Sequence, residues 1–217
     1  MHKLSQATIL PFLVVMVLQS CSTVPGAAGE AMTMKEDQEI TKIQEDLIDS
    51  AQWALGRKSL EINGRKFNMD CSGVVMAVYY KAEIDLQPFL RSYSGGGVQR
   101  LYEFMEDRQL LYKQPHLEPG DLLFWDNTYD QNGDGKINDT LTHIGMVVSI
   151  DDGGNILFIH YNYRKGIVLA KMNLLSPDDL KRNSPIRARG AEKGHATLWL
   201  SSQLLKQAAR AYELKKS

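Results

Sequence analysis

The stretch Asn68-Met69-Asp70-Cys71-Ser72-Gly73, running straight into Val74-Val75-Met76-Ala77-Val78-Tyr79-Tyr80, constrains this chain more than any other. Small polar residues give way to an apolar run in which Val74, Val75 and Val78 recur at helical spacing, so a helix is predicted from Cys71 to about Ala82. A thiol at a helix start meets unpaired backbone N–H groups and the positive end of the helix dipole, which favour an anion. An ordinary cysteine, with a pKa of about 8.5, is only a few per cent thiolate at neutral pH, whereas such surroundings lower the pKa to roughly 3.5–7.5. Cys71 is thus a candidate nucleophile. A buried cysteine acting as a small hydrophobe is the reading that this stretch leaves open beside it.

The other of the two cysteines bears on that choice. His2 and Lys3 precede an apolar run, Ala7 to Leu18, that stops at Gln19-Ser20-Cys21. A basic start, a run shorter than the ~20 residues of a spanning helix and small residues before a cleavage point describe an export signal over residues 1–20. Leu18-Gln19-Ser20-Cys21 resembles the lipobox of bacterial lipoproteins, which implies a lipidated Cys21 and a membrane anchor made of acyl chains. Ser22 in the next position implies the outer membrane, with the domain facing the periplasm. Cys71 then lacks a partner in a compartment where cysteines usually pair, which points to an intermolecular bond or a free reactive thiol.

Residues 21–35 hold the lipidated cysteine and an aperiodic stretch rich in Ala, Gly, Pro, Met and Thr, expected to be a flexible tether. About 180 residues remain, enough for one domain with a good core, residues 36–217. From Glu36, the positions Ile40, Ile43, Leu47, Ala51, Ala54 and Leu55 fall on one helical face that Gly56 is placed to end. Leu60 to Phe67 is a short strand-like link around the turn pair Asn63-Gly64. Ser94-Gly95-Gly96-Gly97 lacks the Gly-Lys-Ser/Thr of a phosphate loop and reads as a flexible connector to a helix from Val98 to Asp107. Pro119-Gly120 turns the chain into an apolar strand, Asp121 to Trp125. Thr142 to Ile150, Ile156 to Tyr161 and Ile167 to Met172 are β-rich runs joined by Gly-containing turns. A basic loop around Asn183 to Arg189 leads to a segment of helical character, Leu198 to Leu214. Helices first and an antiparallel meander second indicate an α+β domain. A net charge of −1, with no basic stripe interleaved with aromatics, excludes nucleic acid as a partner.

Two histidines lie on the expected strands, His143 in Leu141-Thr142-His143-Ile144-Gly145-Met146 and His160 in Ile156-Leu157-Phe158-Ile159-His160-Tyr161. Neighbouring strands can bring their rings together, so that His143 takes the proton of Cys71, or holds it as an ion pair with the thiolate, and His160 fixes the tautomer and orientation of that imidazole. Taken singly, each strand histidine also reads as a satisfied core residue. His2, His116 and His195 have no comparable setting. A cysteine on a helix N-terminus packed against an antiparallel sheet that carries the base is the layout of papain-like thiol hydrolases. Four pieces occur in order: Asp70-Cys71-Ser72-Gly73, Leu117-Glu118-Pro119-Gly120-Asp121-Leu122-Leu123-Phe124-Trp125, Thr142-His143-Ile144-Gly145-Met146-Val147 and Phe158-Ile159-His160. Together they resemble the NlpC-type peptidoglycan cysteine endopeptidases, from about Ile40 to Met172.

That resemblance implies a papain-like α+β fold and a thiol hydrolase without a catalytic cofactor. Its substrate would be an amide bond in peptidoglycan stem peptides, commonly the one between γ-D-glutamate and a diamino acid. It implies Cys71 as nucleophile, His143 as base and His160 as third member, with Asp70 and Ser72 where family members line the substrate groove. The Cys71 backbone N–H is the oxyanion donor it suggests. The family's frequent Pro-Tyr pair ahead of the cysteine is replaced here by Ser59-Leu60-Glu61. A second reading keeps the same residues in a papain-like amidase or acyltransferase, and a third, of another class, is a non-catalytic calcium-binding surface lipoprotein whose thiol is inert.

Between Trp125 and Thr142 lies an insertion, residues 126–141. Asp130, Asn132 and Asp134, followed by Gly135 and Ile137, match the first half of an EF-hand-like calcium loop. The twelfth position is Leu141 rather than a bidentate carboxylate, so Asp126 or Asp139 would have to substitute. A calcium ion here would be structural and pin the loop beside His143. A polar hairpin tip is the competing reading, since Asn-Gly and Asp-Gly are ordinary turn pairs.

Overall fold

The computed structural model describes residues 27–113, 116–187 and 199–216. The export signal over residues 1–20, Cys21, and the histidines His2 and His195 lie outside them. The chain divides into two compact units, residues 1–36 and 37–217. Helix α1 spans Ala27–Ala54, and so begins inside the stretch expected to be a tether rather than at Glu36. Ala, Glu, Met and Lys are strong helix formers, and their propensity outweighs a linker-like composition.

Within the second unit, α1 buries Ile43, Leu47, Ala51 and Ala54. The link that follows is a hairpin of β1 (Leu60–Ile62) and β2 (Arg65–Phe67). Asn63 (φ 51°) and Gly64 (φ 79°) supply the two left-handed positions its tight turn needs. Helix α2 is Cys71–Lys81 and α3 is Gly97–Asp107, both close to their expected bounds. A six-stranded antiparallel sheet completes the unit: β3 (Leu111–Tyr112), β4 (Leu122–Trp125), β5 (His143–Ile150), β6 (Asn155–Asn162), β7 (Gly166–Asn173) and β8 (Leu205–Ala209). Its strand order is β3-β8-β4-β5-β6-β7. The α+β expectation holds, as do the four strands from β4 to β7.

The segment Leu198 to Leu214 departs from its expected helical character. Only Ser201–Leu204 forms a turn of helix, α4, and Ala211–Lys216 a 3₁₀ helix; between them β8 inserts into the sheet beside β4. All four residues of β4 are buried, so its backbone groups on the side away from β5 must find partners within the protein. Pairing with β8 satisfies them and overrides the local preference of Leu-Lys-Gln-Ala-Ala.

Alternation along β4 sends Leu122 and Phe124 to one face of the sheet and Leu123 and Trp125 to the other. The first face meets the helices through Val74, Val75, Val78, Leu101 and Phe104, together with Ile144 and Met146 of β5. The second holds Val147, Phe158 and Met172, covered by Leu117, Leu204 and Ile186. Burial on both faces explains why β4 reads as an unbroken apolar run.

Candidate active site

The helix that carries the thiol starts where it does because Asp70 caps it. Asp70 is extended (φ −139°, ψ 176°), and its carboxylate accepts the Gly73 N–H at 2.7 Å and the Ser72 hydroxyl at 2.9 Å. Gly73 is required by close approach: a Cβ there would lie 2.1 Å from the Asn68 carbonyl oxygen. Gly97 is there for a related reason, since its Cβ would lie 2.2 Å from Ser72 Oγ. The glycine run that reads as a loose connector is therefore packed onto the cysteine motif at the start of α3.

Cys71 is the free cysteine among the described residues and keeps part of its surface exposed. The backbone N–H groups of Ile144, Ser72 and Cys71 itself lie near enough to its sulfur to favour the thiolate. Ile144 directly follows His143, so the beginning of β5 lies against the thiol. Across β5 and β6, Gly145 pairs with His160, and His143 Nε2 sits 2.9 Å from His160 Nδ1 with the rings nearly perpendicular, at 81°. Trp125, opposite His143 in the β4–β5 register, stands 5.8 Å from that ring, and Phe158 stands 5.3 Å from His160. Two aromatic rings thus wall the imidazole pair. Asp70, Cys71 and Ser72 gather at the helix start, and the histidines gather on the sheet; among the described residues no hydrogen bond joins the sulfur to either imidazole. His116 is exposed.

The protonation of the site differs from what a helix N-terminus suggests. Burial, reinforced by the Asp70 carboxylate, pushes the Cys71 thiol up to about 11, although the three N–H groups pull the other way. Burial pushes His143 down to about 3, with His160 adding to the effect, and pushes His160 down to about 4. His143 keeps some accessible surface, yet its ring is crowded enough by protein for desolvation to dominate. The resting pair is therefore neutral thiol and neutral imidazole, not the ion pair expected from the sequence. The main physical reason is burial of the thiol and of both rings, and at the sulfur the Asp70 carboxylate adds to it.

Residues 52–176, more than half of the chain, match the NlpC/P60 family. The chain belongs to this family. No curated protein matches it. The match runs from within α1 to just past β7, and so includes Cys71, both strand histidines and the insertion. Membership makes the fold papain-like α+β, and the family's activity is that of hydrolytic cysteine peptidases and amidases acting on peptidoglycan peptides of the cell wall.

This NlpC/P60 domain carries two features at the site that its motifs do not announce. The insertion is tied to the residue before His143, because both the N–H and the hydroxyl of Thr128 meet Thr142 Oγ1 at 2.9 Å. One residue further on, the exposed Tyr129 lies close enough to Cys71 for the sulfur to help raise its phenol pKa, after burial and together with Asp139. No sequence signal could have placed Tyr129 there, since an insertion has no counterpart in the motifs. At the tip of the insertion, Asp130, Asn132 and Asp134 take backbone N–H groups of their own loop. Among the described residues no three His, Cys, Asp or Glu side chains gather as a metal-ligand set. A cavity of about 490 Å³ lies elsewhere, lined by charged residues such as Lys42, Asp49, Lys81 and Lys215, and contains no thiol or imidazole.

Proposed function

We propose that the protein is a cell-wall endopeptidase that hydrolyses the amide bond between γ-D-glutamate and the diamino acid of peptidoglycan stem peptides. The observation that carries this reading is the hydrogen-bonded His143–His160 pair on β5 and β6, with the Ile144 N–H of β5 near enough to the Cys71 sulfur to favour its thiolate. With Nε2 of His143 engaged by His160, Nδ1 is the nitrogen left for proton exchange. As Cys71 Sγ attacks the carbonyl carbon, the thiol proton passes to His143 Nδ1 and the C–S bond forms. His143 then gives that proton to the leaving amine nitrogen, the C–N bond breaks, and a thioester remains. Water attacks the thioester with His143 again as base, releasing the carboxylate and restoring the thiol. The Cys71 N–H at the start of α2 is the donor for the oxyanion.

Because the resting pair is neutral, the proton moves during attack rather than before it. Asp70 and Ser72 flank the thiol and line the groove, and the exposed Tyr129 of the insertion stands at its rim. Export and lipidation at Cys21 place the enzyme on the outer membrane facing the periplasm, a proposal supported by Leu18-Gln19-Ser20-Cys21 alone. Purified stem-peptide fragments incubated with wild type, Cys71→Ala and His143→Ala test the reading. Wild type should release free diamino-acid peptides and both variants should not. Equal cleavage by all three, or by none, overturns it. Mass analysis of the products separates this bond from that of an amidase or an acyl transfer.

A further inference from the structure

We infer that the insertion after β4 is a calcium site in which Asp139 supplies the closing carboxylate to Asp130, Asn132 and Asp134. Asp139 is only 7% exposed, whereas residues 131–136 and Asn138 beside it are exposed. One of its oxygens, Oδ1, accepts the Asn132 N–H at 3.3 Å, which turns the carboxylate toward the loop. The other, Oδ2, is buried without any hydrogen-bond partner. An unpaired buried carboxylate oxygen is costly, and a bound cation is a direct way to satisfy it.

The loop supplies the rest of an oxygen set. Asp130 accepts the N–H groups of Gly133 and Gly135 at 2.8 and 2.9 Å, Asn132 accepts that of Asp134 at 2.9 Å, and Asp134 accepts that of Lys136 at 2.8 Å. Each of these oxygens keeps a second lone pair. Asp139 stands at the tenth place of the loop instead of the twelfth, and the base of the insertion holds it there. Its N–H meets Asn127 Oδ1 at 2.8 Å, and its C=O accepts the Asn127 N–H at 2.8 Å. Asp126, the alternative closing residue, is already engaged by the Leu141 N–H and by Lys206 Nζ at 2.9 Å. Because three carboxylates do not yet gather at one point, the exposed tip must fold onto Asp139. Calcium, with six to eight oxygen ligands in flexible geometry, tolerates such a mixed set of carboxylate, amide, main-chain and water oxygens better than magnesium does.

This inference stands apart from the hydrolase reading, and its test does not need activity. Full-length protein stripped with EDTA is titrated with CaCl₂ by calorimetry and melted with and without saturating calcium. A single site and a rise in Tm of about 5–10 °C are expected for a ligand at a hundred times its Kd. Asp139→Asn and the tip variant Asp134→Asn should each weaken calcium binding at least tenfold, while Asp126→Asn should bind as wild type does. The exposed position of Asp134 keeps that variant folded, and the circular dichroism of each variant in EDTA identifies any loss of fold. No heat and an unchanged Tm in the wild type overturn the site. Wild-type affinity in folded Asp139→Asn overturns the closing role of Asp139, and a response to MgCl₂ equal to that with CaCl₂ overturns the assignment to calcium.

Discussion

His143 Nε2 and His160 Nδ1 lie 2.9 Å apart across two neighbouring strands, and this contact determines which nitrogen can act as base. When His143 donates from Nε2–H, its Nδ1 holds a lone pair for the thiol proton; in the opposite tautomer it does not. His160→Ala should therefore lower kcat on stem peptides by about 100-fold or more while KM changes little. His160→Asn, whose amide oxygen can still accept from Nε2–H, should recover part of the rate. Steady-state kinetics check both, and equal rates for the two variants would remove the orienting role.

The neutral resting pair makes a claim about reactivity. With the thiol pushed up to about 11, iodoacetamide should alkylate Cys71 in the unliganded protein slowly at pH 7, and faster as the pH approaches that value. Asp70→Asn retains an equally good helix cap but removes the charge that helps raise the thiol, so alkylation at pH 8 should quicken several-fold. Mass spectrometry of the labelled peptide provides the rate. Rapid labelling of wild type at pH 6 would mean that an ion pair exists after all.

Gly73 is held against backbone, where nothing can rotate away. Gly73→Ala should destabilise the domain by about 1–3 kcal/mol and shift the helix start that carries Cys71, lowering activity along with Tm. Denaturant unfolding measures the first and cleavage of stem peptides the second; a variant with wild-type stability would show that Asn68 can yield.

Asp121 and His160 give stability opposite dependences on pH. Asp121 is fully buried, takes the Tyr112 hydroxyl and the Glu118 N–H, and is raised by burial to about 7. A carboxyl whose folded pKa exceeds its unfolded value of about 3.9 stabilises the fold at low pH, and loses that contribution as pH rises from about 4 to about 7. Asp121→Asn, which cannot ionise, should gain on wild type by up to about 1.4 kcal/mol per pH unit across this window. His160, lowered by burial to about 4, works in reverse: its contribution is present above about 6.5 and declines as pH falls toward 4. Guanidinium unfolding at pH 4, 5.5, 7 and 8 checks the Asp121 difference, and parallel curves for variant and wild type would exclude it.

Much of the domain could be read without coordinates because its determinants are local. The Asp70 cap, the apolar spacing from Val74 to Val78 and the crowded Gly73 specify α2 within a dozen or so residues, and short turns set the register from β5 to β7. The four spaced motifs carried the family and both strand histidines. What stayed hidden depends on groups distant in the chain. β8 is a strand only because β4 needs a partner, and Gly97 is small only because Ser72 lies beneath it. Tyr129 comes under the electrostatic influence of the thiol only because the clamp from Thr128 to Thr142 holds the insertion near it. The protonation of Cys71 is the clearest case. A helix N-terminus is a feature of sequence and favours thiolate, but desolvation is imposed by the sheet that packs over it, and in this protein desolvation is the larger effect.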